Sequence, residues 1–148
     1  MGVPTESQKT VLLVDDEERD RNTIRQILQG DGYTVLVADS YQHAYGEFES
    51  NRDVVDLLIA DIALPDGSGC ELALAIRNQK PDIRVIFVCG HFGAQACRFY
   101  GLDVTDLQCI RKPFASQELA RRVLQVLAAA EPFPRLYVKK TLASGVSA

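Results

Sequence analysis

A chain of 148 residues, 47% hydrophobic and 24% charged, with a net charge of −4, has room for one globular domain. That composition excludes a disordered or collagen-like chain, and no apolar run is long enough to span a membrane. The tail from Glu131 carries +2 and the middle of the chain −6, which speaks against nucleic acid as a partner and allows carboxylates gathered around a cation.

Residues 1–9 are polar, lack the apolar stretch of a signal peptide, and have Glu6 where a myristoylation motif needs Ser or Thr. They read as a flexible N-terminal segment. The apolar run Thr10 to Val14 predicts a buried strand, and Glu18 to Gln29 a helix with Ile24, Ile27 and Leu28 inward. Gly30 and Asp31-Gly32 supply the stop and a turn. A second strand is expected over Tyr33 to Ala38. A Ser40-capped helix follows to about Glu49, with Ala44 and Phe48 on its inner face.

The third strand is expected at Asp56 to Ala60, ending on Asp61, with a loop at Leu64 to Gly67. A helix from Gly69 to about Asn78 carries Leu72 and Ile76 inward until Pro81 breaks it, and Ile83 to Val88 is the fourth strand. His91 to Tyr100 is a weak helix and Leu107 to Ile110 a short fifth strand. Ser116 to Ala130 is the clearest helix, with Leu119, Val123, Val126, Leu127 and Ala130 on one stripe and Ala115 where a capping Ser would stand. The domain therefore spans 10–130. The tail 131–148 reads as a flexible extension, in which Leu136-Tyr137-Val138 is the stretch able to dock.

Five strand–helix repeats with apolar strands predict an α/β fold, a five-stranded parallel sheet with helices on both faces. Right-handed crossovers put every strand's carboxyl end on one edge, where such sheets bind ligands. That edge receives Asp15, Asp16 and Glu17 from the first strand, Asp61 from the third, Cys89 and His91 from the fourth, and Lys112 after the fifth. Clustered carboxylates repel one another unless a cation intervenes, and Mg2+ takes one or two carboxylates together with water and phosphate oxygens. A lysine there is a point charge for phosphate, and an Asp can be a phosphoryl nucleophile. Taken singly, Asp15-Asp16 also reads as helix-start acids and Lys112-Pro113 as an ordinary turn dipeptide.

The four cysteines, Cys70, Cys89, Cys97 and Cys109, form no CxxC pair, and there are two histidines, His43 and His91. Neither a zinc site nor a disulfide framework is expected; four free, mostly buried thiols in a reducing cytoplasm are.

Val11-Leu12-Leu13-Val14-Asp15-Asp16-Glu17, Leu58 to Gly69 (LIADIALPDGSG) and Arg111-Lys112-Pro113-Phe114 together resemble the receiver domain of two-component response regulators, over about residues 10–128. The resemblance implies the flavodoxin-like (βα)5 fold. It implies that Asp61 accepts a phosphoryl group from a phosphohistidine on a sensor histidine kinase or histidine phosphotransfer protein. Asp16 and Asp61 would ligate Mg2+ directly, Asp15 through water, and the Ala63 carbonyl would be a further ligand. Lys112 would pair with Asp61 and then with the phosphoryl oxygens. The module would be cytoplasmic, catalyse only its own phosphoryl transfer, and act on a downstream protein through its helix 4–strand 5–helix 5 face, with oligomers allowed.

Two switch positions depart from the family. Cys89 stands where a Ser or Thr hydroxyl is usual, and Cys109 where Tyr or Phe is usual. Either the usual hydroxyl–aromatic coupling is weakened or replaced, or Cys89 is a tolerated small residue and the switch works through the backbone. Neither cysteine has an adjacent basic residue, so sequence alone gives no reactive thiol. His91 and Ala63 stand at positions that tend to tune phosphoryl loss in the family the chain resembles, and His91 also reads as a solvated helix-start residue. Phe92, Phe99 and Tyr100 suit either the partner face or the core.

The leading expectation is a signalling module, either stand-alone or part of a hybrid kinase, with no output domain expected in the residues after Ala130. The alternative is a receiver-like adaptor that works without phosphorylation. An aspartyl-phosphate phosphohydrolase of the haloacid-dehalogenase type needs a second Asp two residues after its nucleophile. Here Glu17 and Ala63 occupy those places.

Overall fold

The computed structural model describes residues 8–90, 93–100, 102–103, 109–129 and 137–138. In chain order the elements are β1 (Thr10–Val14), α1 (Glu18–Gly30), β2 (Thr34–Ala38), α2 (Tyr41–Ser50), β3 (Val55–Asp61), β4 (Ala63–Leu64), β5 (Gly67–Ser68) and α3 (Gly69–Gln79). There follow β6 (Arg84–Cys89), α4 (Gly93–Phe99), β7 (Leu102–Asp103), β8 (Cys109–Arg111), α5 (Ser116–Ala128) and β9 (Tyr137–Val138). Five strands form one sheet in the order β2-β1-β3-β6-β8, every neighbouring pair parallel. The order reverses between β1 and β3, so their carboxyl ends flank the crevice where open α/β sheets bind ligands.

Period-2 alternation within the strands divides the core. Leu12, Val14, Leu58, Ala60, Val85 and Phe87 pack with Ala44 and Phe48 of α2 and with Leu72, Ala73 and Ile76 of α3. Val11, Leu13, Leu57, Ile59, Ile86 and Val88 face the other way, onto Ile24 and Leu28 of α1 and Leu119, Val123 and Val126 of α5. Both faces of the sheet are thus covered, which explains why the strands read as unbroken apolar runs.

Boundaries moved by a residue or two. Helix α1 continues through Gly30 and ends in a Schellman turn at Gly32 (φ 94°), where Tyr33 N–H bonds the Leu28 carbonyl and Gly32 N–H that of Gln29. The fifth strand is Cys109–Arg111; Leu107 and Gln108 lie outside the described residues. The expected loop at Leu64 to Gly67 is a tight antiparallel hairpin, β4 against β5. Ala115 does leave α5 without a side-chain cap. From the expected docking stretch, Tyr137–Val138 pair with Leu102–Asp103. Residues 1–7, His91, Phe92, Ala130 and the rest of the tail lie outside the described residues. No helix among the described residues is long and apolar enough to cross a membrane.

Candidate functional site

The acidic edge forms where β1 and β3 stop. Asp15 follows β1 directly and its N–H bonds the Ala38 carbonyl of β2 at 3.1 Å. Its side chain is 1% exposed. Asp61 closes β3, and the next amide, Ile62 N–H, bonds the Val88 carbonyl of β6 at 3.1 Å. Asp15, Asp16 and Asp61 each present a carboxylate oxygen within 4.8 Å of the others. Residues 46 apart in sequence thereby share one pocket.

Lys112 reaches the pocket from beyond β8. Its amide bonds the Cys89 carbonyl at 2.9 Å, and the Lys112–Pro113 peptide is cis. Its ammonium donates to Asp61 Oδ2 at 2.9 Å, Asp15 Oδ2 at 3.1 Å and Asp20 Oδ2 at 2.9 Å. Asp20, in the first turn of α1, was not singled out from sequence. The available signal is that a helix launched from the end of β1 starts at the same edge, so its first-turn acids share that edge.

Burial and neighbouring charge both act on these groups. Burial pushes the Asp15 carboxyl above its usual range, only partly offset by the Glu17 N–H that bonds Oδ1 and by Lys112. Burial alone would push the Lys112 ammonium down, but the Asp20, Asp61 and Asp15 carboxylates raise it overall. One ammonium against four acids leaves negative charge to be met, and an all-oxygen donor set suits a hard divalent cation. Ala63 is exposed, with its N–H bonded to Asp61 Oδ1 at 2.9 Å, which fixes one carboxylate oxygen. The loop between is held from below: Gly69 N–H bonds the Ile62 carbonyl at 2.8 Å, and an atom added at Gly69 would lie 2.2 Å from the Asp61 carbonyl oxygen.

The two altered positions lie side by side. Cys89 ends β6 and Cys109 begins β8, with their sulfurs 2.7 Å apart. The thiols remain free, as expected, but they are not isolated: Cys70 and Cys97 also meet, at 3.1 Å. Sequence neighbours were the wrong test for basic residues near them, because Arg111 sits opposite Cys89 in the β6–β8 register. The Cys109 thiol hydrogen bond, with help from Arg111, lowers the Cys89 pKa against the opposing effect of burial; Cys109 is raised as the partner that keeps its proton. Phe99 is 82% exposed, while Tyr100 packs against the core.

A carboxylate edge met by Lys112, on a parallel sheet ordered β2-β1-β3-β6-β8, makes an open α/β domain with its candidate site at the carboxyl edge. The profile of the response regulator receiver domain matches residues 11–124, and the chain belongs to that family. It is 35% identical over 121 residues to the phosphate regulon transcriptional regulatory protein PhoB of Pseudomonas aeruginosa, covering 80% of this chain and 52% of that protein. It is also 35% identical to sensor kinase CckA of Brucella abortus, over 80% of this chain and 12% of that protein. The chain thus spans about half or less of these curated relatives. Among solved structures, a response regulator receiver protein from Sinorhizobium medicae superposes with TM-score 0.74 at 27% identity, covering 86% of this chain and 100% of that one. The non-phosphorylated HemR receiver domain of Leptospira biflexa gives 0.73 at 31% identity, over 84% and 98%. The module is therefore a receiver domain of the two-component response regulator family.

Proposed function

We propose that residues 10–130 are the working unit and that Asp61 accepts a phosphoryl group from a phosphohistidine of a sensor kinase or phosphotransfer protein. The observation that carries this reading is the Asp61 carboxylate, 13% exposed, held by Lys112 at 2.9 Å beside Asp15 and Asp16. In the transfer a carboxylate oxygen of Asp61 forms the new P–O bond as the P–N bond of the donor breaks, and the electron pair stays with the imidazole. Lys112 meets the charge of the transferred oxygens, which is most of what such a reaction asks of a protein. The Ala63 N–H, bonded to Oδ1, orients the acceptor and leaves Oδ2 to exchange Lys112 for phosphorus.

The acidic set fits Mg2+, with Asp16 and Asp61 as direct ligands, Asp15 through water and the Ala63 carbonyl as a further ligand. The ion would supply neutralisation of charge at the acceptor. The downstream partner would dock on the α4–β8–α5 face, where Phe99 stands exposed on α4.

Incubation with Mg2+ and acetyl phosphate, followed by intact mass, tests the reading. One phosphoryl adduct is expected on the wild-type chain and none on Asp61→Asn. A chain that stays unmodified while still binding its partner would instead support a phosphorylation-independent adaptor.

A further inference from the structure

Cys89 and Cys109 sit on neighbouring parallel strands, with Phe87 opposite Cys109 and Cys89 opposite Arg111. They therefore point to the same face of the sheet, one diagonal step apart, and both pack against the same cluster. Their sulfurs lie 2.7 Å apart, about 0.7 Å beyond a disulfide bond. Cys109 is partly exposed, so a small oxidant can reach the pair. The Cys70–Cys97 pair is wider, at 3.1 Å, and both of its thiols are fully buried.

We propose that Cys89 and Cys109 form a redox modification site, closed to an intramolecular disulfide by a hydroperoxide and reopened by thiols. The first sulfur attacks a peroxide oxygen; the O–O bond breaks, an S–O bond forms, and one water leaves when the oxidant is hydrogen peroxide. The second sulfur attacks that sulfenic acid; the S–S bond forms, the S–O bond breaks, and the departing hydroxide takes the second thiol's proton as water. The two sulfurs give up two electrons and the peroxide takes both. The bridge would join the last residue of β6 to the first residue of β8, and the Cys89 carbonyl also accepts from the Lys112 amide at 2.9 Å. The modification goes beyond phosphoryl acceptance and does not depend on it.

The folded full chain is treated with hydrogen peroxide, then denatured and alkylated. The reduced chain should take up four alkyl groups and the oxidised chain two, with a mass loss of two hydrogens before alkylation. Chymotryptic cleavage after Phe92 separates Cys89 from Cys97, and the linked fragments should carry Cys89 and Cys109. The Cys70→Ser/Cys97→Ser chain should fall from two alkylatable thiols to none, while Cys89→Ser and Cys109→Ser should give no such link. Dithiothreitol should restore every thiol. Four alkylatable thiols after oxidation, a link through Cys70 and Cys97 alone, bridges only between molecules, or sulfinic acid without a bridge would each overturn the proposal.

Discussion

Replacing Gly69 by Ala tests how the acceptor is positioned. The new Cβ would stand 2.2 Å from the Asp61 carbonyl oxygen, 3.0 Å from its carbon and 3.1 Å from Ile62 Cα, all main-chain atoms that no rotamer can move aside. Relieving the oxygen contact alone requires a displacement of about 0.8 Å, and overpacking against rigid backbone costs up to about 3 kcal/mol. For a chain of this size that lowers Tm by about 6–12 °C. The shift also strains the 2.8 Å bond from Gly69 N–H to the Ile62 carbonyl and moves the residue that would be modified. A displacement on the order of 1 Å slows positioned chemistry by up to about 100-fold. Thermal unfolding by circular dichroism and time-resolved intact mass with acetyl phosphate read the two effects. An Ala variant that melts and reacts like the wild type would refute the close approach; a lowered Tm with unchanged reactivity would refute its part in positioning Asp61.

Lys112→Met should cost about 1.5–3 kcal/mol at pH 7, because it leaves Asp15 buried without its cation. The Lys112 pKa is raised in the fold, so its stabilisation is full below the unfolded value of about 10.4 and is lost as pH rises through the higher folded one. Urea midpoints of variant and wild type should therefore stay apart at neutral pH and converge as Lys112 loses its proton at alkaline pH. Asp66→Asn should lower Tm at neutral pH, since this carboxylate accepts from the Gln42 and Tyr41 amides at 3.0 and 2.7 Å and is held below its usual range by them. A lowered acid stabilises above its unfolded pKa, so that difference should shrink as pH falls below about 4. Ser68→Ala removes the side chain that accepts from Cys70 N–H at 3.0 Å and should cost about 1 kcal/mol by urea unfolding.

The sheet was legible because strands buried on both faces leave unbroken apolar runs, and Val11 to Val14 or Leu57 to Ala60 cannot be mistaken for surface. The convergence of Asp15, Asp16, Asp61 and Lys112 followed from topology, since parallel crossovers send every strand's end to one edge. What stayed hidden depends on geometry across strands. Asp20 looks like any first-turn acid until α1 is oriented over the pocket. The hairpin at Ala63 to Ser68 is too short for periodicity to register. The Cys89–Cys109 contact is a diagonal between strands, set by a register that residue spacing does not encode. His91 was singled out from sequence but lies outside the described residues.

The ammonium of Lys112 touches acids at the end of β1, in α1 and in β3, although β8, which Lys112 follows directly, lies on the far edge of the sheet. The pocket is therefore a clasp between the first and last thirds of the fold as well as a place for chemistry. Without the segment that follows β8, Asp15, Asp20 and Asp61 would face one another with no lysine among them. Docking of β8 completes the pocket that the end of β1 begins, so what displaces the last strand also takes Lys112 from the acids.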